Sequence, residues 1–159
     1  SSDYRILFHG RERVQNIVKL YIGGEQIVSD LEKYGCVPNK TYTLEFPKLD
    51  NEEAYRGFIL GMIEGDGGVY FYNNTLTVAL TGTYEVCKGL SEFILDKFNI
   101  YTKINRKPTY SVWKIYSKNA DILLNYLYSN VEFKLKRKFD IYTKYLDYKN
   151  NGKNKIITK

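Results

Sequence analysis

Histidine is almost missing from this chain: His9 is the only one in 159 residues. Cysteine is nearly as scarce, with Cys36 and Cys87 far apart in sequence. These shortages exclude a zinc finger, a Cys/His nucleophile pair and any nuclease that draws a histidine base from this chain. So little cysteine builds no disulfide framework, which fits a reducing, intracellular compartment, and both thiols read as small buried hydrophobes. No apolar run approaches the roughly 18–20 residues of a membrane span, so no membrane partner is expected. The opening Ser1-Ser2-Asp3-Tyr4 carries neither a signal nor a transit pattern and no initiator Met, so residue 1 need not be the native start.

Acidic side chains run short in one region only. Residues 101–159 hold 14 basic and 4 acidic groups, net +10, whereas residues 51–100 hold 3 and 7, net −4, and residues 1–50 balance at 7 each. A basic half beside an acidic middle points to a polyanion partner with a cation between them, nucleic acid with metal, against the alternative of a solvated surface with a basic tail. What is abundant is core material: 43% of residues are hydrophobic, enough to exclude wholesale disorder in a chain the size of one domain or two small ones. Frequent Lys, Asn, Tyr and Ile suggest an AT-rich genome, such as that of an organelle or phage. The compartment, whether organelle, phage-host cytoplasm or nucleus, stays open.

Along the chain, residues 14–22 read as a strand and 25–34 as a short helix ended by Gly35. A connection with two prolines, CVPNKTYTLEFPKLD, follows. Asp50 and Glu53 form a capping-box-like pair opening a helix over about 51–66. Period two then takes over in VYFYNNTLTVALT, a β-hairpin turning at Asn73-Asn74. Leu76, Val78 and Leu80 mark its core face. Thr75, Thr77, Ala79 and Thr81 mark a small, polar face suited to meeting another molecule. Helical spacing resumes over 85–98, strands are expected at about 101–106 and 110–116 around Lys107-Pro108, and helices at about 119–128 and 135–148. The expected fold class is α+β: an αββαββα unit over 49–148, preceded by a ββα half-unit over 1–48 and followed by a basic flexible tail over 149–159. The half-unit echoes a later stretch, since VKLYIGGEQIVSDLEKYG resembles VWKIYSKNADILLNYLYSN.

The helix in NEEAYRGFILGMIEGDG is built against its own propensity. Gly57, Gly61 and Gly65 recur every four residues on one ridge. Each interior glycine costs roughly 0.8–1 kcal/mol relative to alanine, so the ridge weakens the helix by about 2–3 kcal/mol. Close approach of another helix offsets such a loss, with Ile59, Leu60, Met62 and Ile63 packing around it. If that partner is an equivalent helix, two negative dipole ends converge with Glu64 and Asp66 from each side, and a divalent cation such as magnesium relieves the repulsion. The other reading is a glycine-rich packing helix whose acids face water.

Ile59-Leu60-Gly61-Met62-Ile63-Glu64-Gly65-Asp66-Gly67 resembles the LAGLIDADG signature of homing endonucleases. The αββαββα order from residue 51 is similar to one complete repeat of that family, and KYGCVPNKTYTLEFP followed by RGFILGMIEGDG resembles the junction between two repeats. The resemblance implies a DNA-binding saddle in which antiparallel sheets lie in the major groove and signature helices pack at the centre. It places Asp66, with Gly65, at a divalent metal (Mg2+, or Mn2+ or Ca2+) beside the scissile phosphate, and Glu64 in a capping or supporting role at the helix interface. It makes Lys136 the charge-stabilising lysine, with Lys134 and Lys138 as alternatives and Lys40 as the counterpart from the preceding half. It puts Thr83 near the position that helps place water. DNA contacts would come from Thr75, Thr77, Thr81, Thr83, Lys103, Arg106, Tyr110, Lys114, Lys134 and Lys138, while most of the sixteen tyrosines would pack in the core or the sheet.

This chain carries one signature helix where the family's double-strand cut uses two. The expected activity is site-specific hydrolysis of double-stranded DNA that depends on a second helix. A complementary polypeptide is the first expectation for its source and a homodimer the second. The rival is a non-cleaving DNA-binding regulator or an RNA intron-splicing maturase on the same fold. A PD-(D/E)xK nuclease fits poorly, since Asp66, Glu85 and Lys88 have the wrong internal spacing.

Overall fold

A computed structural model of the protein describes residues 5–6, 18–19, 24–35, 37, 43–132 and 134–154. The chain divides into two compact units, Ser1–Pro38 and Asn39–Lys159. In the first, β1 (Arg5–Ile6) pairs antiparallel with β2 (Val18–Lys19), and helix α1 (Glu25–Lys33) follows. The order is ββα. Gly35 takes the left-handed φ of 78° just past the helix, a conformation glycine adopts without a Cβ penalty. Cys36, His9 and Lys40 lie outside the described residues.

The second unit is α+β. Helix α2 (Glu52–Gly65) leads into the hairpin β3 (Gly68–Tyr72) and β4 (Thr75–Gly82), then α3 (Tyr84–Phe98), β5 (Ile104–Arg106), β6 (Ser111–Tyr116), α4 (Ser117–Tyr128) and α5 (Lys136–Asn154). The four strands form one antiparallel sheet in the order β3-β4-β6-β5. Asn73 and Asn74, at φ 46° and 61°, make the hairpin turn with both central residues left-handed, which matches the twist of the flanking strands. The alternation separates the faces as expected: Leu76, Val78 and Leu80 are buried, together with Trp113 and Ile115 of β6. Ile59 and Ile63 of α2, Leu90 and Ile94 of α3, Leu123, Leu124 and Leu127 of α4 and Tyr142 of α5 complete that core. Cys87 is buried there too, and burial pushes its thiol pKa up.

Two of the boundaries that differ from the sequence reading have a visible cause. The N-cap of α2 is Asn51 rather than Asp50: the Asn51 side chain accepts from the Ala54 N–H at 2.9 Å. Aspartate and asparagine cap about equally well, so the backbone path and not residue type decided between neighbours. Helix α5 continues to Asn154, past the expected end at 148. Lys149 explains the extension, since its ammonium pairs with Asp121 of α4 and ties that turn to the body of the unit.

Candidate functional site

The glycine ridge of α2 is bare. Among the described residues, a Cβ built on Gly57, Gly61 or Gly65 meets nothing within 4 Å. The opposite side of the same helix carries Ile59, Leu60 and Ile63 into the core. Where α2 ends the situation reverses at Gly67, whose Cβ would stand 2.7 Å from the Ile63 carbonyl oxygen and 3.0 Å from that of Ala79. Only glycine allows the chain to leave the helix so close to its own backbone and enter β3. Between these two kinds of glycine sits Asp66, exposed at the C-cap, with its N–H and that of Gly67 donating to the Met62 carbonyl at 3.0 and 2.9 Å.

The last carbonyls of a helix lack partners within the helix and carry its negative dipole end. Here a lysine from α5 takes them. Lys138 is 2% exposed, and its ammonium donates to the carbonyl oxygens of Ile63, Glu64 and Gly67 at 2.7, 2.6 and 2.6 Å. Three donors meet three acceptors. Burial pulls this ammonium below the usual lysine range and Arg137 adds to the pull, while Glu64 and Asp66 oppose it. The sequence reading offered Lys138 as a DNA contact, and its burial and saturated donors instead make it a cap on α2.

Glu64 answers in the other direction. Its two carboxylate oxygens accept from the Leu135 N–H at 2.9 and 3.0 Å, just before α5 begins, and the Tyr128 hydroxyl donates to it at 3.3 Å. Lys136 follows on the first turn of α5, its side chain 88% exposed and paired with Asp140 at 2.7 Å. Lys134 lies over the Phe139 ring, 3.9 Å from its centre. The structure thus gathers Gly65, Asp66, Glu64, Lys138 and Lys136 where α2 ends and α5 starts. Among the described residues no three His, Cys, Asp or Glu side chains cluster as a metal site, so one chain offers a divalent ion a single exposed carboxylate here.

A second group lies on the open face of the sheet. Thr77 is paired with Tyr70 on one side and Tyr116 on the other; Ala79 stands between Gly68 and Lys114, and Thr81 opposite Val112. Thr75 faces Tyr72, and its hydroxyl reaches the Asn73 carbonyl at 3.4 Å. Lys103, Lys107, Lys114 and Tyr116 line an open groove of about 880 Å³ along this side. Tyr110 is exposed in the adjoining turn. Two expected contacts are otherwise engaged. Thr83 is the N-cap of α3, accepting from the Val86 N–H at 3.1 Å while its hydroxyl donates to the Leu44 carbonyl. Arg106 borders the groove but lays its guanidinium 3.7 Å from the centre of the Tyr84 ring. No protein-family model matches the chain, and no curated protein sequence matches it.

The sequence reading missed three residues on the open face. Tyr70, Tyr72 and Tyr116 are 57%, 75% and 51% exposed there, although most tyrosines were expected in packing roles. The signal was present in the same alternation that sorted the threonines: Tyr70 and Tyr72 flank Phe71 at period two, and Tyr116 follows Ile115.

Proposed function

We propose that this chain is a metal-dependent endonuclease of the LAGLIDADG homing type, hydrolysing phosphodiester bonds of double-stranded DNA once a second signature helix joins α2. The observation that carries this reading is the uncovered ridge of Gly57, Gly61 and Gly65 leading to an exposed Asp66. A helix that gives up propensity on a face where none of the described residues packs is suited to a partner backbone. A second helix of the same kind would add the carboxylate that this chain lacks.

Asp66 and the Gly65 carbonyl would hold the divalent ion, since magnesium usually takes one or two carboxylates and fills its remaining positions with water and phosphate oxygen. When bound, that ion supplies Lewis-acid polarisation of the phosphodiester and a more acidic water. Lys138 absorbs the carbonyl charge at the helix end, which leaves Asp66 as the anionic group facing outward. Lys136 presents a solvated ammonium that can offset charge on a phosphate. The sheet face gives duplex contacts: Lys103, Lys107 and Lys114 for phosphate, and Thr75, Thr77 and Thr81 for base edges.

The test begins with selection of duplexes bound by the full chain from a randomised pool in Ca2+, followed by transfer to Mg2+. Nicks or breaks at a recurrent site, lost in Asp66→Asn while binding persists, are the expected result. The measurement spans chain concentrations at which light scattering reads monomer and dimer. Selected duplexes that are never nicked in Mg2+ or Mn2+ would favour the non-cleaving regulator. Capture of structured RNA with no duplex selected would favour the splicing role.

A further inference from the structure

We infer that Glu64 and Lys138 form a reciprocal clamp that fixes the Asp66 carboxylate and the Lys136 ammonium relative to each other, which makes Lys138 a positioning residue. The roles of Asp66 and Lys136 rest on the nuclease reading; the clamp itself rests on hydrogen bonds. Lys138 of α5 holds the end of α2, and Glu64 of α2 holds the residue that opens α5. Each helix thus supplies the side chain that satisfies the other's terminus. Asp66 lies between the Glu64 and Gly67 carbonyls gripped by Lys138, and Lys136 follows the Leu135 N–H gripped by Glu64.

Termination of α2 does not by itself require this lysine. Gly67 follows the helix, and the Asp66 and Gly67 N–H groups already close the last turn on Met62. Burial of an ammonium is costly unless every proton is accepted, so a lysine here is an expensive way to end a helix. The three accepting carbonyls straddle Asp66, two before it and one after, which is the arrangement that removes freedom from that residue. Errors of about 1 Å in the placement of reacting groups can lower a rate by about 100-fold, a scale that makes such restraint worthwhile.

The experiment compares the full chain with Lys138→Met and, as a second route into the same clamp, Glu64→Ala. Each variant is read by cleavage of the selected duplex in Mg2+, by duplex binding in EDTA, and by amide hydrogen exchange resolved along the chain. A clamp predicts a cleavage rate lowered by about 100-fold with duplex affinity held within about twofold, a split that separates positioning from substrate binding. It also predicts faster exchange confined to residues around 63–68 and 134–139. Wild-type cleavage in both variants overturns the proposal, as does exchange that is unchanged or raised throughout the unit. Loss of the whole fold in both variants overturns it too, because the pair is then a core element and not a positioning device. If the wild type cuts no duplex, the nuclease reading falls while exchange still decides the clamp.

Discussion

The two faces of α2 answer to different demands. On one, Ile59, Leu60 and Ile63 are 0%, 8% and 0% exposed, packed with the sheet and the other helices of the unit. On the other, Gly57, Gly61 and Gly65 leave a strip without side chains, with none of the described residues within 4 Å of where a Cβ would stand. A surface helix ordinarily dresses its outer face in long polar residues that favour the helix and keep it solvated. Helix α5 does so with Lys136, Arg137 and Lys144. The outer strip of α2 instead lowers its own stability by about 2–3 kcal/mol. The covered face is therefore explained by the core of its own unit, and the bare face is the one on which the proposed second helix would pack. Gly67 sharpens the contrast, because it lies only two residues past Gly65 and is hemmed in by backbone.

The largest expected effect comes from Gly67→Ala. The new Cβ would meet the Ile63 carbonyl oxygen at 2.7 Å and the Ile63 Cα at 2.8 Å, atoms that cannot rotate aside. Forced backbone shifts of this kind cost about 1–3 kcal/mol, to be read as a lowered urea midpoint of the full chain. Gly61→Ala should act with the opposite sign. With open space around the added methyl, helix propensity alone predicts a gain of about 0.8–1 kcal/mol at protein concentrations too low for association. The same change should weaken self-association and duplex cleavage by holding a partner backbone away. A destabilised Gly61→Ala monomer would show that the ridge is packed within its own chain, and the comparison between the faces would collapse.

Much of this unit was legible because its signals are local. The period-two run from Val69 to Thr81 gave the hairpin, its turn and the sidedness of its threonines, and the four-residue glycine spacing gave the ridge. What stayed hidden depends on residues far apart. Glu64 and Leu135 are separated by 71 positions, and Lys138 and Ile63 by 75, so no window of sequence shows that a buried ammonium closes α2. Within EFKLKRKF the three lysines look alike as text, yet helix geometry sends Lys136 into water and Lys138 under the end of α2. Arg106 and Thr83 have intramolecular partners hidden for the same reason: they meet the Tyr84 ring and the Val86 N–H through contacts that composition and spacing do not record.

The smallest effect tests the covered side at alkaline pH. Burial holds the Tyr128 and Tyr142 hydroxyls above the ordinary phenol range, with Glu64 adding to the first and Asp121 to the second. A raised phenol means the folded chain keeps a proton that the unfolded chain releases, so stability is whole below the unfolded value of 10.0 and declines as pH climbs past it. Tyr142→Phe removes one of these protons together with the 2.9 Å hydrogen bond to Asp121. At neutral pH the variant should lose about 0.5–1.5 kcal/mol, because Lys149 still pairs with the Asp121 carboxylate. Above pH 10 its stability should fall less steeply than that of the wild type, and the gap between the two should narrow. Urea midpoints followed from about pH 8 to about pH 11 give both slopes. Parallel slopes would mean that Tyr142 releases its proton as readily folded as unfolded, and the covered side would then be wetter around α4 and α5 than its burial indicates.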